Sequence, residues 1–277
     1  PPRNHSSAAS DVYKRQAVIL ACGGFEANNK LREEEFGLDW NKAKVRGTPH
    51  NTGDGLTMAF ALGAQRYGKF DGCHATPMDL HMKDFGNLEI PPKQRKNYRK
   101  ICYFLGVMLN AYGSRFVDEG KNFRNYTYAQ FGRAVLEQPE HFAWQIFDSK
   151  VFDLLYEEYR TEDASFVEAG RLEELVAKLS GVDRIQALKT LNDYNAAVDN
   201  NVEFDPTKLD GKATKGLSLN KTNWAQKLDT PPYRAFPVTG GITFTYGGVK
   251  VDTQGCVISE NNTCLLYTSD AADEWLR

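Results

Sequence analysis

The sequence predicts an α/β fold, and three stretches carry that prediction. Residues 17–22 (Ala-Val-Ile-Leu-Ala-Cys) form a short apolar run rich in branched side chains, closed by Gly23-Gly24. That is the pattern of a buried strand whose end passes close to a neighbour. Asn51-Thr-Gly-Asp-Gly55 brackets an acid with two glycines and runs into Leu56, Ala59, Phe60 and Gly63 at helical spacing, so a turn opens a helix whose first amides are free. Near Asp79 the texture changes to loops, a hairpin and several helical segments, and Pro231-Pro232 marks a second break before glycine-rich, β-like residues return.

In order, residues 28–36 read as a charged helix and 40–50 as irregular chain. Residues 69–76 read as a strand and turn ending at Pro77. Residues 104–110 and 115–119 pair as a hairpin about the turn 111–114. Residues 125–136 should be helical and 143–147 a strand. Three helical segments follow at 149–160, 171–179 and 184–198, the second closed by Gly181 and the third capped by Asp183. Residues 206–223 are loop-like, 231–237 extended, and 239–248 a set of glycine turns joined to β-like residues.

Composition excludes several classes. With 34 basic and 36 acidic residues in 277, the net charge is −2. Residues 93–100 form one basic run, which reads as solvated surface, so no nucleic-acid partner is expected. No apolar stretch is long enough to span a membrane. The five cysteines contain no Cys-x-x-Cys pair, which suits reduced thiols in a cytoplasmic protein and offers no metal site.

The two ends encode each other. The back-translation of residues 264–274 has a reverse complement that reads as residues 6–16, a relation expected of a transposase-type sequencing adapter. Residues 1–16 and 264–277 are therefore expected to be adapter-derived tails, leaving 17–263 as a piece of a longer natural chain.

Five blocks together resemble the flavoprotein family of fumarate reductase and succinate dehydrogenase, in the family's own order. They are Ala17-Val-Ile-Leu-Ala-Cys-Gly-Gly-Phe25, Asn51-Thr-Gly-Asp-Gly55, His74-Ala-Thr76, Val107-Met-Leu-Asn-Ala-Tyr-Gly-Ser-Arg-Phe-Val-Asp-Glu119 and Gly241-Ile-Thr-Phe-Thr-Tyr-Gly-Gly-Val-Lys-Val-Asp252. Lys44-Val-Arg-Gly47, Gly72-Cys-His74, residues 116–128 and Gly241-Ile-Thr-Phe-Thr245 are most similar to the FAD-dependent tricarballylate dehydrogenase branch. The resemblance implies a partial Rossmann-like FAD-binding domain, residues 17–79 and 233–263, with an inserted α+β capping domain at 80–232 that carries substrate contacts. The family's Gly-x-Gly-x-x-Gly finger would lie before residue 17 and its last substrate arginine beyond 263, so the polypeptide as written is expected neither to hold FAD tightly nor to turn over.

The implied activity moves a hydride between FAD and a carbon–carbon bond beside a carboxylate, with tricarballylate to cis-aconitate the most specific expectation. The partners implied are a small di- or tricarboxylate and an unidentified electron-transfer protein. Arg124 is the implied proton-transfer residue, one position further along than in fumarate reductases. His74, in a His-Ala-Thr block where the family has His-Pro-Thr, and Thr243 are the implied substrate contacts. Ala21, Cys22, Gly23, Gly53, Asp54 and Phe244 are the implied cofactor contacts, Cys22 being read as small and buried. Thr243 and Phe244 replace a histidine pair of fumarate reductases, and the family's relay acid and arginine, due near Arg99 and Cys102, are not evident. Alternatives are a fumarate reductase-like enoate reductase, a 3-ketosteroid dehydrogenase-like flavoenzyme, or, in another class, a non-catalytic nucleotide-binding module.

Overall fold

A computed structural model describes residues 18–265. Its organising element is one long strand, β7 (Tyr233–Thr245), to which most other strands attach. One edge of β7 carries β5 (Phe142–Asp148), antiparallel, and then β1 (Lys44–Val45), parallel, with Val45 opposite Ile242. The other edge carries β6 (Val167–Ala169) and then β3 (Cys73–Asp79), both antiparallel. β4 (Val107–Leu109) extends the sheet beyond β5, and β2 (Arg66–Tyr67) pairs with β8 (Gly248–Val249) in a separate ribbon. The sheet is mixed, with the β1–β7 pair its parallel element.

The helices start where local chemistry caps them. Asn28 accepts from the Leu31 N–H to open α1 (Asn29–Phe36), and Asp183 accepts from Gln186 N–H to open α5 (Arg184–Ala197). α2 (Asp54–Ala61) begins at Gly53 in the left-handed region, φ 84°. α4 (Leu172–Lys178) and α5 bury Leu175, Val176, Ala187, Leu191 and Tyr194 against Trp144, Ile146 and Ala235 of the sheet. Each such side chain contributes roughly 1.5–3 kcal/mol of burial.

α3 (Arg124–Leu136) lies so close to β3 and β7 that glycine is required on both sides. A Cβ on Gly132 would sit 2.3 Å from Thr76 N, and one on Gly240 would sit 2.6 Å from the Gly132 carbonyl oxygen. This explains one departure from the sequence reading. Gly240-Gly241 is not a turn but the middle of β7, and its glycines serve helix-to-sheet contact.

Other departures have physical causes. Residues 18–22 form no strand, and Val18 and Ile19 are exposed, because no described strand offers them hydrogen bonds; Ala17 lies outside the described residues. Cys22 is likewise exposed rather than buried, its sulfur resting where a Cβ on Gly55 would be, 2.0 Å away. β3 runs through Pro77, whose carbonyl accepts from the Lys100 N–H at 2.8 Å. Residues 115–119 do not return as a strand, since the Glu119 carboxylate itself takes the Met108 N–H (2.8 Å) that a partner strand would have taken. Residues 149–160 form two 3-10 turns, Ser149–Leu154 and Glu157–Tyr159. The break falls where Leu155 and Tyr159 insert into an aromatic cluster and the Tyr156 N–H turns to Cys102 Sγ.

Asp79, where the texture of the sequence changes, is buried and ion-pairs with buried Lys100 at 3.5 Å, and β7 pairs with strands from both sides of that point. Gly132→Ala should destabilise the protein by about 1–3 kcal/mol from overpacking, although alanine is favoured over glycine in an isolated helix by about 1 kcal/mol. Gly170→Ala, with open space around it, should stay within about 0.5 kcal/mol. Urea unfolding midpoints check this, and equal midpoints for the two variants would contradict the close contact.

Candidate active site

At its C-terminal end β7 contains a bulge. Between Cys73 and Ala75, β3 advances two residues while β7 advances three, from Thr245 to Ile242. Thr243 and Phe244 therefore both stand opposite His74, and such bulges re-aim side chains. Phe244 stacks on the His74 ring, with centroids 4.6 Å apart and planes 20° apart. Tyr128 Oη and His74 Nε2 share a hydrogen bond of 2.6 Å. His74 Nδ1 and Thr243 Oγ1 are buried without a partner from another residue. Such groups each cost about 1–3 kcal/mol unless a ligand or water satisfies them.

Tyr128 sits one turn along α3 from Arg124, on the same face. Arg124, the first residue of α3, lies over the Tyr156 ring at 4.5 Å and makes no ion pair among the described residues. The loop leading to it is fixed from behind. Buried Arg115 and Glu119 form an ion pair, while Asp118 accepts from Gly120 N–H (2.9 Å), Thr222 N–H (3.0 Å) and Thr222 Oγ1 (2.8 Å).

Residues that the sequence reading did not single out complete the neighbourhood. Arg46 N–H bonds to the Ile242 carbonyl at 2.9 Å, which sets Arg46 beside Thr243 across the β1–β7 edge. On the far side of β3, Arg99 pairs with Met78 and forks onto Glu158, Nη2 to Oε1 2.8 Å. Arg99 thus has an acid beside it, from 59 residues away in the chain. A cleft of about 910 Å³ opens beside this pair, lined in part by Arg95, Lys96, Tyr156 and Arg160.

Burial pushes His74 below its ordinary pKa, and the Arg46 guanidinium and, less strongly, Arg99 push it further. Burial likewise lowers Arg46, with Arg99 adding to the shift and Glu158 and Tyr128 opposing it. Two guanidiniums, Arg46 and Arg99, therefore favour the neutral imidazole, and Glu158 holds Arg99.

A second wall is built from two interlocked glycine turns. Gly53 N–H bonds to the Gly24 carbonyl (3.1 Å), Ala27 N–H to the Asn51 carbonyl (2.9 Å), and Asn28 Nδ2 to the Thr52 carbonyl (2.9 Å). Glu26 is buried and takes Asn51 Nδ2 on one oxygen; its other oxygen and Thr245 Oγ1 have no partner. Both lie where a Cβ on Gly24 would be, at 2.9 and 2.2 Å. Ala21, Cys22 and Gly23 are exposed along this wall, and exposed Asp54 takes the Thr52 hydroxyl at 2.9 Å. Orphaned oxygens beside close-packed glycine backbone fit the hydroxyl-bearing part of a dinucleotide cofactor such as FAD, and a bare carboxylate is ill suited to a phosphate.

A family model described as an FAD binding domain matches residues 2–266. The chain belongs to that family, the FAD-binding domain of the fumarate reductase and succinate dehydrogenase flavoproteins. It is 26% identical over 253 residues to a probable fumarate reductase, Ifc3, of Shewanella frigidimarina, covering 88% of this chain and 36% of that protein. It is 25% identical over 276 residues to 3-oxosteroid 1-dehydrogenase of Mycobacterium tuberculosis, covering 92% and 46%. The fold matches the open conformation of a flavocytochrome c3 fumarate reductase with a TM-score of 0.63 at 24% identity, covering 90% of this chain and 39% of the other. The chain thus spans less than half the length of these relatives. The family cofactor is FAD, and Ala21, Cys22, Gly23, Gly53 and Asp54 stand on the glycine wall that suits it. No described helix is long and apolar enough to cross a membrane.

Because His74 has a lowered folded pKa, its neutral form is favoured by folding. The stability this supplies is present above the ordinary value of 6.5 and is lost as pH falls through 6.5 toward the lower folded value. A ring-proton NMR titration should show His74 titrating below 6.5, and a midpoint above 6.5 would contradict the site's electrostatics.

Proposed function

We propose that this chain is the substrate-facing part of a flavin-dependent oxidoreductase that moves a hydride between FAD and a carbon–carbon bond beside a carboxylate. Tricarballylate to cis-aconitate is the most specific form of the proposal. The observation that supports it is an Arg124 guanidinium with no acid partner, one helical turn from a Tyr128–His74 pair whose remaining nitrogen is unsatisfied.

Oxidation of a CH–CH bond releases a hydride from one carbon and a proton from the next; reduction runs the same steps backwards. FAD, when bound, supplies the hydride acceptor or donor. Arg124 takes or gives the proton, and it is available because no carboxylate neutralises it and α3 presents its positive end there. His74 Nδ1 and Thr243 Oγ1 hold the substrate carboxylate, with Tyr128 fixing the imidazole from Nε2. Phe244 stacks on the face of that ring and holds its plane. The Arg115–Glu119 pair and Asp118 keep the 115–123 loop in place behind Arg124. A division into an FAD-binding part (17–79 and 233–263) and a capping part (80–232) would put Arg124 on the cap and His74 on the FAD-binding part, with the Tyr128–His74 bond joining the two. The free thiols suit a cytoplasmic setting.

Adding tricarballylate without oxidant to the FAD-loaded protein, made at the full length of its relatives, should bleach the flavin absorbance. Arg124→Gln should slow bleaching by about 10²–10⁴-fold, the range of general acid–base catalysis, with tricarballylate still bound. Flavin colour that persists with every di- and tricarboxylate would sink the proposal, as would wild-type bleaching by the glutamine variant.

A further inference from the structure

Arg46 has no part in the chemistry proposed above, yet its position is specific. It follows Val45, which pairs with Ile242, and its N–H continues that ladder to the Ile242 carbonyl. His74 stands on the opposite edge of β7, facing Thr243 and Phe244 across the bulge. The two residues flank the same pair from opposite sides, two strand spacings or roughly 10 Å apart at the backbone. A ligand carboxylate between Thr243 and His74 would leave Arg46 toward its far end.

The Arg46 guanidinium is half-buried and makes no ion pair, side-chain hydrogen bond or ring contact among the described residues. A partly desolvated cation is unfavourable without an anion. The acid nearest it in the site, Glu158, already binds Arg99 through both Nε and Nη2. The protein thus leaves Arg46 without a counter-ion next to two buried polar atoms that also lack partners, His74 Nδ1 and Thr243 Oγ1.

We infer that Arg46 is the substrate-selecting cation of this site, binding a second carboxylate beyond the one held at His74, so that acids with two or more carboxylates are preferred over monocarboxylates and neutral compounds. This rests on the proposed function and deepens it by naming the residue that selects for the second carboxylate.

Calorimetric titration of tricarballylate, succinate and butyrate into the FAD-loaded protein, made at the full length of its relatives, tests it, with wild type, Arg46→Gln and Arg46→Lys compared. Arg46→Gln should weaken tricarballylate about ten- to hundredfold, the worth of a hydrogen bond to a charged group. Butyrate affinity should change by no more than about twofold. Arg46→Lys should recover part of the loss, and KM should rise with kcat near wild type. Ligand-free melting curves show whether each variant is folded, and the lysine variant carries the test if the glutamine variant is not. Unchanged tricarballylate binding in Arg46→Gln overturns the inference, as does an equal loss for tricarballylate and butyrate. Selective loss of tricarballylate in a protein whose flavin no carboxylate bleaches supports Arg46 as the selecting cation and overturns the redox reading instead.

Discussion

One extra residue in β7 sets the geometry on which the site depends. Because β7 takes three steps where β3 takes two, Thr243 and Phe244 come together opposite His74. A regular ladder would send successive side chains to opposite faces of the sheet. The bulge can be held in place because the strand just before it is clamped. Gly240 and Gly241 let α3 and Met78 approach the backbone, and Gly132 lets α3 press on Thr76. The same approach brings Tyr128 within hydrogen-bond distance of His74 and sets Arg124 one turn earlier in α3. Backbone packing and site geometry are therefore one construction.

The charge arrangement follows a consistent logic. Elsewhere buried cations are satisfied, by an acid as in Lys100 with Asp79 and Arg115 with Glu119, or by backbone carbonyls as in Arg32, Lys212 and Lys221. Around His74 the balance is broken: Arg46 and Arg124 lack acids, and Arg99 has Glu158. Cations that lack an acid beside unsatisfied polar atoms suit an anion from outside. On the glycine wall the imbalance has the opposite sign, with one oxygen of Glu26 unsatisfied. A cofactor's hydroxyl groups would suit that wall and a substrate's carboxylates would suit the other.

Much of this was legible in the sequence where the signal is local. Asn28 and Asp183 announced their helices because a cap needs only the next few residues. Arg124 was marked by its place after the Arg115–Glu119 block, and His74 by its own block. Gly240-Gly241 misled because the same glycines that permit a turn also permit close packing, and only the position of α3 distinguishes the two. The run at 17–22 has the composition of a buried strand, but a strand exists only with a hydrogen-bonded neighbour, which composition cannot supply. Arg46, Tyr128 and Glu158 were not singled out because their roles depend on long-range partners. Tyr128 meets a histidine 54 residues away, and Glu158 meets an arginine 59 residues away.

The central claim is that the bulged end of β7 receives the substrate carboxylates. A crystal structure of the FAD-loaded protein, at the full length of its relatives, with tricarballylate bound tests it most directly. The account predicts one carboxylate within hydrogen-bond distance of His74 Nδ1 and Thr243 Oγ1, another on Arg46, and Arg124 against the carbon between them. Tricarballylate bound elsewhere, with His74 Nδ1 and Thr243 Oγ1 still unpartnered and Arg46 turned to solvent, would contradict it.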